Sequence, residues 1–497
     1  MPLDGRWGRR DFLVATGIGA LGVGLAGCGT GDAARPVTGA DASVAAREER
    51  RRKTGAGHKI IDLVAGPYKF DLAGRVVETF AYGATVPGPE IRLRAGDELE
   101  VRFRNDLKTA TTIHWHGLAI RNDMDGVPTM TQAPIKPGDA FTYRFIVPDP
   151  GTHWFHPHMG LDLDRGLYAA LIVEDPADPA AYDEDAVVML DDWLDGIDGA
   201  SPERTFSALR SGGGMNHDMA GMGSMSGSIS SMSDQGDVDY PLHLLNGRPP
   251  SDPSTIRVAP RGRTRLRIVN AGSDTLYRVA IGGHSLTVTH LDGFPIDPVI
   301  ADAVVLGMGE RVDVVVQPSP GVWPIVAVAE GKDGAAIGFV RTTDADATPP
   351  PSVGARLAEH DRRVFSNADA RATEAVALAR VKPDRQMTRL LTGGMADYTW
   401  GIDGRTFGDH RPIDVREGER LRLVLRNGTT MVHPMHLHGH TFAISGDRGA
   451  RKDTVLIQPS ESVSLDVNAD NPGQWMLHCH NTYHLEAGMA TELRYVN

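Results

Sequence analysis

Residues 91–105 read IRLRAGDELEVRFRN, and two later stretches of the chain repeat this pattern. The copies are IRVAPRGRTRLRIVN at 256–270 and IDVREGERLRLVLRN at 413–427, and each runs from Ile to Asn. Apolar residues such as Leu99 and Val101 alternate with charged ones, and a period of two indicates half-buried strands. The copies begin 165 and 157 residues apart, which predicts three homologous all-β domains built as sandwiches or barrels.

The composition is typical of a globular, turn-rich protein. The chain has 497 residues, 41% of them hydrophobic, with 57 Gly and 32 Pro. A net charge of −13 argues against nucleic acid as a partner, because phosphate binding needs a basic face. The two cysteines lie in unrelated kinds of sequence, so we expect no structural disulfide between them.

The N-terminus has the features of an export signal. Arg9 and Arg10 precede an apolar run at 12–27 that is too short to span a bilayer, and the pair resembles a twin-arginine signal. The sequence LAGC at 25–28 resembles a bacterial lipobox, with Cys28 as cleavage point and lipid acceptor. We therefore expect an exported protein, lipid-anchored at the outer face of the bacterial cell membrane. The alternative is an ordinary secretory signal with a chance cysteine.

These features predict the domain organisation. In chain order it comprises a signal peptide (1–27), a flexible tether (28–57), a first domain (58–177), a second domain (178–345) with a methionine-rich loop (211–234), a linker (346–375) and a third domain (376–497).

The outer two domains carry matched HxH pairs that the middle domain lacks. One pair begins nine residues after the repeat asparagine, and a second begins six residues after a Pro-Gly proline. Alternate strand residues point to one face, about 7 Å apart, so facing outer domains would bring eight imidazoles together. The pairs are His114 and His116, His156 and His158, His436 and His438, and His478 and His480.

Cys479 lies between two of these histidines and therefore points to the opposite face of its strand. His484 and Met489 follow it, and His433 precedes the His436 pair. One Cys, two His and a weak Met are the ligands of a blue-copper centre. The alternatives are a buried free cysteine or a structural zinc site, and the repetition of every HxH pair in register favours copper.

The motifs HWHG, HPH, HPMHLHGH and HCHNTYHLEAGM together resemble the four copper signatures of the multicopper oxidases, and most closely those of exported bacterial cuprous oxidases. The resemblance extends from about residue 60 to the end of the chain. It implies three cupredoxin-like Greek-key domains and four copper ions. By position, the resemblance implies that the mononuclear type 1 copper binds His433, Cys479 and His484, with Met489 as axial ligand. It implies that type 2 copper binds His114 and His436. The two type 3 copper ions would bind the other six histidines, which are His116, His156, His158, His438, His478 and His480.

The resemblance also implies a reaction. Cys479 would accept electrons from a reducing substrate, and its neighbours His478 and His480 would pass them on for the four-electron reduction of O₂ to water. Protons are consumed, and Asp125 matches the acidic position that supplies them in bacterial relatives. The alternative is a simple turn aspartate. Glu486 is a second candidate, although Leu485 stands where some relatives have an acid directly after the type 1 histidine.

Residues 211–234 read SGGGMNHDMAGMGSMSGSISSMSD, a Gly/Ser-rich loop without a core-forming pattern. Thioethers are soft ligands that select Cu(I), so the loop is a candidate for gathering it. The alternative is a low-complexity linker. Met431 matches a position that holds substrate Cu(I) in bacterial cuprous oxidases, although Thr429 replaces their nearby acid. The loop methionines are Met215, Met219, Met222, Met225 and Met232.

Three functions are consistent with this sequence. The first is a cuprous oxidase that detoxifies copper, for which Fe(II) is a further candidate substrate. The second is a laccase for phenols or aromatic amines. The third is a copper-storage lipoprotein, which would not need a thiolate placed directly between two histidine ligands.

Overall fold

The computed structural model describes residues 35–52, 56–175, 178, 182–212 and 236–497. Predicted features outside these ranges are the signal peptide, the lipidation site Cys28 and the methionines Met215, Met219, Met222, Met225 and Met232. No helix in the described part of the chain is long and apolar enough to cross a bilayer.

The first domain is a sandwich of two four-stranded sheets. Its strands are β1 His58–Leu72, β2 Arg75–Tyr82, β3 Ile91–Arg94, β4 Glu98–Asn105, β5 His114–His116, β6 Ala140–Ile146, β7 Gly151–His156 and β8 Ala169–Glu174. The sheet orders are β2-β1-β4-β6 and β3-β8-β7-β5.

The second domain packs a six-stranded sheet on a five-stranded one. Its strands are β9 Glu184–Trp193, β10 Leu242–Leu245, β11 Ser254–Val258, β12 Thr264–Asn270, β13 Tyr277–Ile281, β14 Leu286–Leu291, β15 Phe294–Ala301, β16 Ala303–Leu306, β17 Arg311–Val316, β18 Val322–Ala329 and β19 Ala335–Thr342. The sheet orders are β10-β9-β12-β17-β14-β15 and β11-β19-β18-β13-β16.

The third domain has the same arrangement. Its strands are β20 Arg385–Gly394, β21 Thr399–Ile402, β22 Ile413–Val415, β23 Arg420–Asn427, β24 His433–Leu437, β25 Phe442–Ile444, β26 Arg451–Lys452, β27 Thr454–Ile457, β28 Ser462–Asn468, β29 Gln474–Cys479 and β30 Ala490–Tyr495. The sheet orders are β21-β20-β23-β28-β25-β26 and β22-β30-β29-β24-β27. The predicted all-β fold of three cupredoxin-like sandwiches is confirmed.

Helical structure is sparse. It comprises the helices α1 Ala42–Arg51, α2 Pro202–Arg210 and α3 Thr482–Glu486, with 3-10 turns at Asn122–Met124, Thr343–Ala345, Ala358–Asp361, Asn367–Asp369 and Phe407–Asp409.

Each repeated stretch forms two strands that belong to different sheets of one sandwich: β3 and β4, β11 and β12, and β22 and β23. The asparagine that ends each stretch is buried and makes the same hydrogen bonds. Asn105 Nδ2 donates to two carbonyl oxygens, each at 2.8 Å, and Oδ1 accepts from the amide two residues on. Asn270 and Asn427 repeat this pattern. The asparagine thus fixes the loop that leads, in the outer domains, to the first HxH strand.

The predicted half-buried alternation is wrong for the middle copy. In β4 the apolar residues are buried while Arg102 and Arg104 face solvent, but every residue of β12 is buried. Arg265 is buried because it donates to Asp313 (3.0 Å), and Arg267 pairs with Asp185. Burial on both faces is possible because these charges are paired inside the protein.

The predicted flexible tether does not hold for residues 35–52. Val37 N donates to Tyr495 O (2.8 Å), and α1 buries Val44. Glu48 Oε1 accepts from Ile146 N (2.6 Å), and Arg51 Nη2 donates to Asn471 Oδ1 (3.1 Å). The segment is therefore a brace that contacts both the first and the third domain. Its charged sequence is typical of a tether, but these particular groups have partners in the folded chain.

We predict that Val44→Ala lowers the free energy of unfolding by about 1–2 kcal/mol, because a fully packed side chain is truncated. Thermal denaturation of the whole protein measures the change. The matched control on the same helix is Arg50→Ala, since Arg50 and Glu417 form a pair that is about half exposed; we expect a change within about 0.5 kcal/mol. Equal midpoints for wild type and both variants would restore the tether interpretation.

Candidate metal centre

The two outer domains present their HxH pairs on strands paired in identical register. In the first domain His114 of β5 lies opposite His156 of β7. In the third domain His436 of β24 lies opposite His478 of β29. The intervening residues, such as Trp115, point away and are buried in the domain cores. The sequence prediction that alternate residues share one face is confirmed for these strands.

The two sets of histidines meet across the boundary between the first and third domains. The rings of His114 and His438 stack with centroids 3.8 Å apart, and so do those of His116 and His436. Three overlapping groups of three histidines have ring nitrogens within 4.8 Å of one another, close enough to bind a common metal ion. The ring centroids of His116, His156 and His480 are 4.9 to 5.7 Å apart. The three groups are His114, His436 and His438; His114, His116 and His156; and His158, His438 and His478.

The inward-facing nitrogens of these rings fit a metal cluster. Within the described part of the chain, six of the eight imidazoles have a buried ring nitrogen without a hydrogen-bond partner. In the other two rings, His438 Nε2 and His478 Nε2 face each other at 2.9 Å. An unsatisfied buried polar atom costs about 1–3 kcal/mol, so an enclosed cluster of them is unfavourable unless metal ions bind it. The six are His114, His116, His156, His158, His436 and His480.

Burial favours the neutral form of seven of these eight imidazoles, which is the form that binds metals. It lowers the pKa of seven of the eight, and the pKa of His158 falls to about 3. Neighbouring imidazoles add to the effect in most of them. The seven are His116, His156, His158, His436, His438, His478 and His480.

Asp125, singled out in the sequence, lies directly beside the cluster. Its Oδ2 is 2.9 Å from His438 Nδ1, and its backbone oxygen is 2.9 Å from His114 Nδ1. Both contacts place a proton on Nδ1 and leave Nε2 free to face the cluster. The residue therefore orients one histidine from each outer domain.

Asp453 does the same on the other side of the cluster, and sequence reasoning missed it. Its Oδ1 is 3.2 Å from His116 Nε2, and its backbone oxygen is 3.0 Å from His436 Nδ1. Burial opposes ionisation, but the Arg311 guanidinium holds the pKa of Asp453 well below its usual range. Asp453 lies outside every HxH motif, so no spacing rule identifies it.

The structure brings Cys479 together with two of the histidines that the sequence singled out with it, His433 and His484. Cys479 Sγ is 3.6 Å from His433 Nδ1 and 3.7 Å from His484 Nδ1, and the two nitrogens are 3.1 Å apart. All three side chains are fully buried. Met489 is also buried, and its backbone oxygen accepts from Cys479 N (3.0 Å). A thiol and two imidazole nitrogens converging without solvent suit a soft metal such as copper.

Asp237 is a further neighbour of this cluster that the sequence did not reveal. Its Oδ2 accepts from His484 Nε2 (2.9 Å) and from Tyr398 OH (2.5 Å). Burial lowers the pKa of His484, but the Asp237 carboxylate outweighs it and raises that pKa to about 10. Asp237 thus holds a proton on His484 Nε2, and Nδ1 is the nitrogen that faces Cys479.

Thr429, Met431 and Glu486, which the sequence analysis also considered, lie near the two clusters. Thr429 Oγ1 is 2.7 Å from His433 Nε2, and Met431 is buried in the same apolar core as Cys479. Glu486 lines a cavity of about 550 Å³ that reaches His156 and His478, among other histidines of the cluster. Burial raises the pKa of Glu486. The cavity connects the histidine cluster with the protein surface near α3.

Comparison with known proteins gives a consistent result. Residues 67–178, 184–345 and 380–497 each match a multicopper oxidase profile. The chain is 44% identical to the multicopper oxidase MmcO of Mycobacterium tuberculosis, covering 99% of this chain and 97% of the relative. It is 28% identical to a copper resistance protein A homolog of Pseudomonas syringae pv. tomato, over 87% and 92%. Among solved structures, the laccase from Botrytis aclada superposes with a TM-score of 0.74 at 25% identity, over 89% and 88%.

We predict that Asp237→Asn weakens metal binding at the Cys479 cluster by about 10–100-fold, because an amide no longer fixes the His484 proton. Titration of the metal-free protein with copper, followed by the blue absorption of the thiolate site, measures the affinity. Asp239→Asn is the matched control, since Asp239 is exposed and two residues away. If both variants bind copper like wild type, Asp237 has no orienting role.

Proposed function

We propose that this chain, which belongs to the multicopper oxidases, takes electrons from Cu(I) and uses them to reduce O₂ to water, thereby detoxifying copper. Multicopper oxidases are oxidoreductases that use O₂ and a reducing substrate. The proposal therefore concerns the reducing substrate, the sites that bind copper and the biological role.

The single observation that carries the choice of Cu(I) is the position of Asp237. It is separated by two residues from the end of the methionine-rich stretch 211–234, and its carboxylate contacts His484. On the other side of the stretch, Arg210 at the end of α2 lines the same cavity as Glu486. A residue that closely follows a segment rich in thioethers, the ligands that select Cu(I), thus lies close to the Cys479 cluster, and the residue that precedes the segment lines the cavity beside the histidine cluster. The similarity to a copper resistance protein A homolog supports the same choice.

The proposed copper sites follow the two clusters. The type 1 ion would take His433, Cys479, His484 and Met489, and the trinuclear site would take the eight histidines, with His114 and His436 at type 2. The other six, at type 3, are His116, His156, His158, His438, His478 and His480. When bound, copper supplies one-electron redox chemistry.

The residues of the chain contribute connection, orientation and enclosure. Cys479 is joined by single peptide bonds to His478 and His480, so the two sites share one strand end, β29. The fully buried surroundings exclude bulk water from Cys479, His433 and His484, whereas the cavity lined by Glu486 gives access to the histidine cluster. Asp125 holds a proton at His438 Nδ1, and we propose Asp125 and Glu486 as the carboxyl groups that relay protons to the reduced oxygen.

A laccase acting on phenols or aromatic amines is the second candidate, supported by the similarity to the Botrytis aclada laccase. Steady-state kinetics with Cu(I), Fe(II) and a phenol on one preparation tests the choice directly. The proposal requires the highest kcat/KM for Cu(I), whereas a preference for the phenol would favour the laccase.

We predict that Cys479→Ser gives a folded protein without blue absorption and without oxidase activity, because the thiolate is lost. The eight histidines are unchanged, so copper should still bind the trinuclear site. Visible absorption, copper content and oxygen consumption are the measurements. Oxygen consumption near the wild-type rate would contradict the assignment of the Cys479 cluster.

We predict that replacing Met215, Met219, Met222, Met225 and Met232 with Ser raises KM for Cu(I) about tenfold, equivalent to about 1.4 kcal/mol of lost binding. Blue absorption and phenol oxidation should not fall, because no ligand of the two clusters changes.

The matched control keeps all five thioethers and changes five serines of the same stretch to Ala, namely Ser224, Ser226, Ser228, Ser230 and Ser231. Identical Cu(I) kinetics in wild type and both variants would make the stretch a linker and remove its support for Cu(I).

A further inference from the structure

We propose that Arg311, contributed by a domain without copper ligands, is a positioning residue for the trinuclear site and acts through Asp453. This inference rests on the proposed function, because it concerns the histidines assigned to type 2 and type 3 copper. Arg311 is the first residue of β17 in the second domain and is fully buried.

The Arg311 guanidinium uses every one of its five N–H donors. Nη1 and Nη2 donate to the two carboxylate oxygens of Asp453, at 2.6 and 2.5 Å. Nε donates to Thr152 O (3.0 Å), and the remaining donors reach Gly309 O (3.2 Å) and Asp292 O (3.1 Å). These acceptors belong to all three domains. A planar guanidinium with five fixed N–H donors can reach all five of these acceptors at once, and a lysine ammonium with three donors cannot.

Asp453 contacts both the Arg311 guanidinium and the histidine cluster. Its Oδ1 accepts from Arg311 and faces His116 Nε2 at 3.2 Å, so the proton of His116 lies on Nε2 and Nδ1 faces the cluster. Its backbone oxygen faces His436 Nδ1 at 3.0 Å. Thr454 Oγ1 completes the contact, because it donates to Asp453 Oδ1 (2.9 Å) and lies 3.1 Å from His436 Nδ1. The position of Asp453 therefore sets one histidine from each outer domain.

Close packing shows that this region of the second domain approaches the cluster itself. Gly309, two residues before Arg311, has a positive φ of 84°, and a Cβ there would lie 2.8 Å from His480 and 2.9 Å from His116. Gly117, next to His116, has φ 86°, and a Cβ there would collide with Arg311. Two glycines in the left-handed region thus permit the approach.

The competing explanation is that Arg311 only holds the domains together. The two explanations differ in what a conservative variant does. Arg311→Lys keeps a positive charge but cannot donate to both Asp453 oxygens from one plane. A positioning role predicts a local defect at the trinuclear site, whereas a clamp predicts lower stability of the whole protein.

We expect Arg311→Lys to lower the affinity for type 2 copper about 10–100-fold, as outer contacts of metal ligands typically do. Type 2 copper should be affected most, since only two histidines are assigned to it. The blue band should persist, because His433, Cys479 and His484 do not contact Arg311. Copper content, the type 2 electron paramagnetic resonance signal and the blue absorption are measured on the full-length protein.

The matched control is Arg265→Lys. Arg265 is an equally buried arginine of the same domain that pairs with Asp313 and Asp178, and none of its hydrogen bonds reaches the eight histidines. We expect this variant to keep all of its copper. A wild-type type 2 signal in Arg311→Lys would overturn the inference. A parallel loss of blue absorption and thermal stability in both arginine variants would also overturn it, in favour of a clamp.

A second variant covers the case in which Arg311→Lys fails to fold. Asp453→Asn keeps the volume and the backbone oxygen that faces His436, but removes the charge that faces His116. Asp453→Asn should therefore change the absorption of the coupled type 3 copper pair more than the type 2 electron paramagnetic resonance signal. Type 3 absorption equal to that of the wild type would overturn the inference. Absence of blue absorption or of trinuclear copper in the wild type would instead contradict the proposed function, so the two failures are distinguishable.

Discussion

The histidine cluster depends on holding the first and third domains face to face, because each contributes half of the eight imidazoles. The stacked rings of His114 and His438, and of His116 and His436, have centroids only 3.8 Å apart across that boundary. Small shifts between domains would separate the inward nitrogens, so that they could no longer share a bound metal ion and would stay buried without partners, which is costly. Several otherwise unrelated features serve this constraint. The N-terminal brace is one, and Asn471, which donates to carbonyls of both Ile120 and Gly439, is another.

The pleat of a single strand links this cluster to the thiolate site. On β29, His478 and Cys479 point to opposite faces, and His480 follows at the strand end. One face meets the opposing domain, and the other meets His433 and His484 inside the third domain. The two clusters are thus adjacent without sharing a side chain. A shift of one residue in register would exchange the faces and destroy both sites, so register is under strong constraint here.

The fold could be predicted from the sequence because it rests on short-range patterns, and the same patterns singled out the residues that the structure brings together in the histidine cluster and around Cys479. Strand alternation, the spacing from the repeat asparagine to the HxH pairs and the Cys479 neighbourhood are all local. Asp453 and Asp237 could not be found in this way, because they contact His116 and His484 across 337 and 247 residues of sequence. Such partners are set by domain packing. The same reason explains the error on β12, where buried ion pairs override the alternation seen in β4 and β23.

The middle domain shows how a repeat without ligands can still belong to the site. At the positions of the HxH pairs it has Val279 and Val326, which are fully buried in its own core. That face therefore offers nothing to a metal. Its other surfaces supply the charged groups next to both clusters, with Asp237 on His484 and Arg311 on Asp453. A buried charge needs a partner in fixed geometry, so these contacts constrain the second domain against the other two as strictly as shared ligands would. The middle domain, which carries no HxH pair, thus still belongs to the site, because Asp237 and Arg311 add charged partners to those that Asp125 and Asp453 of the outer domains provide.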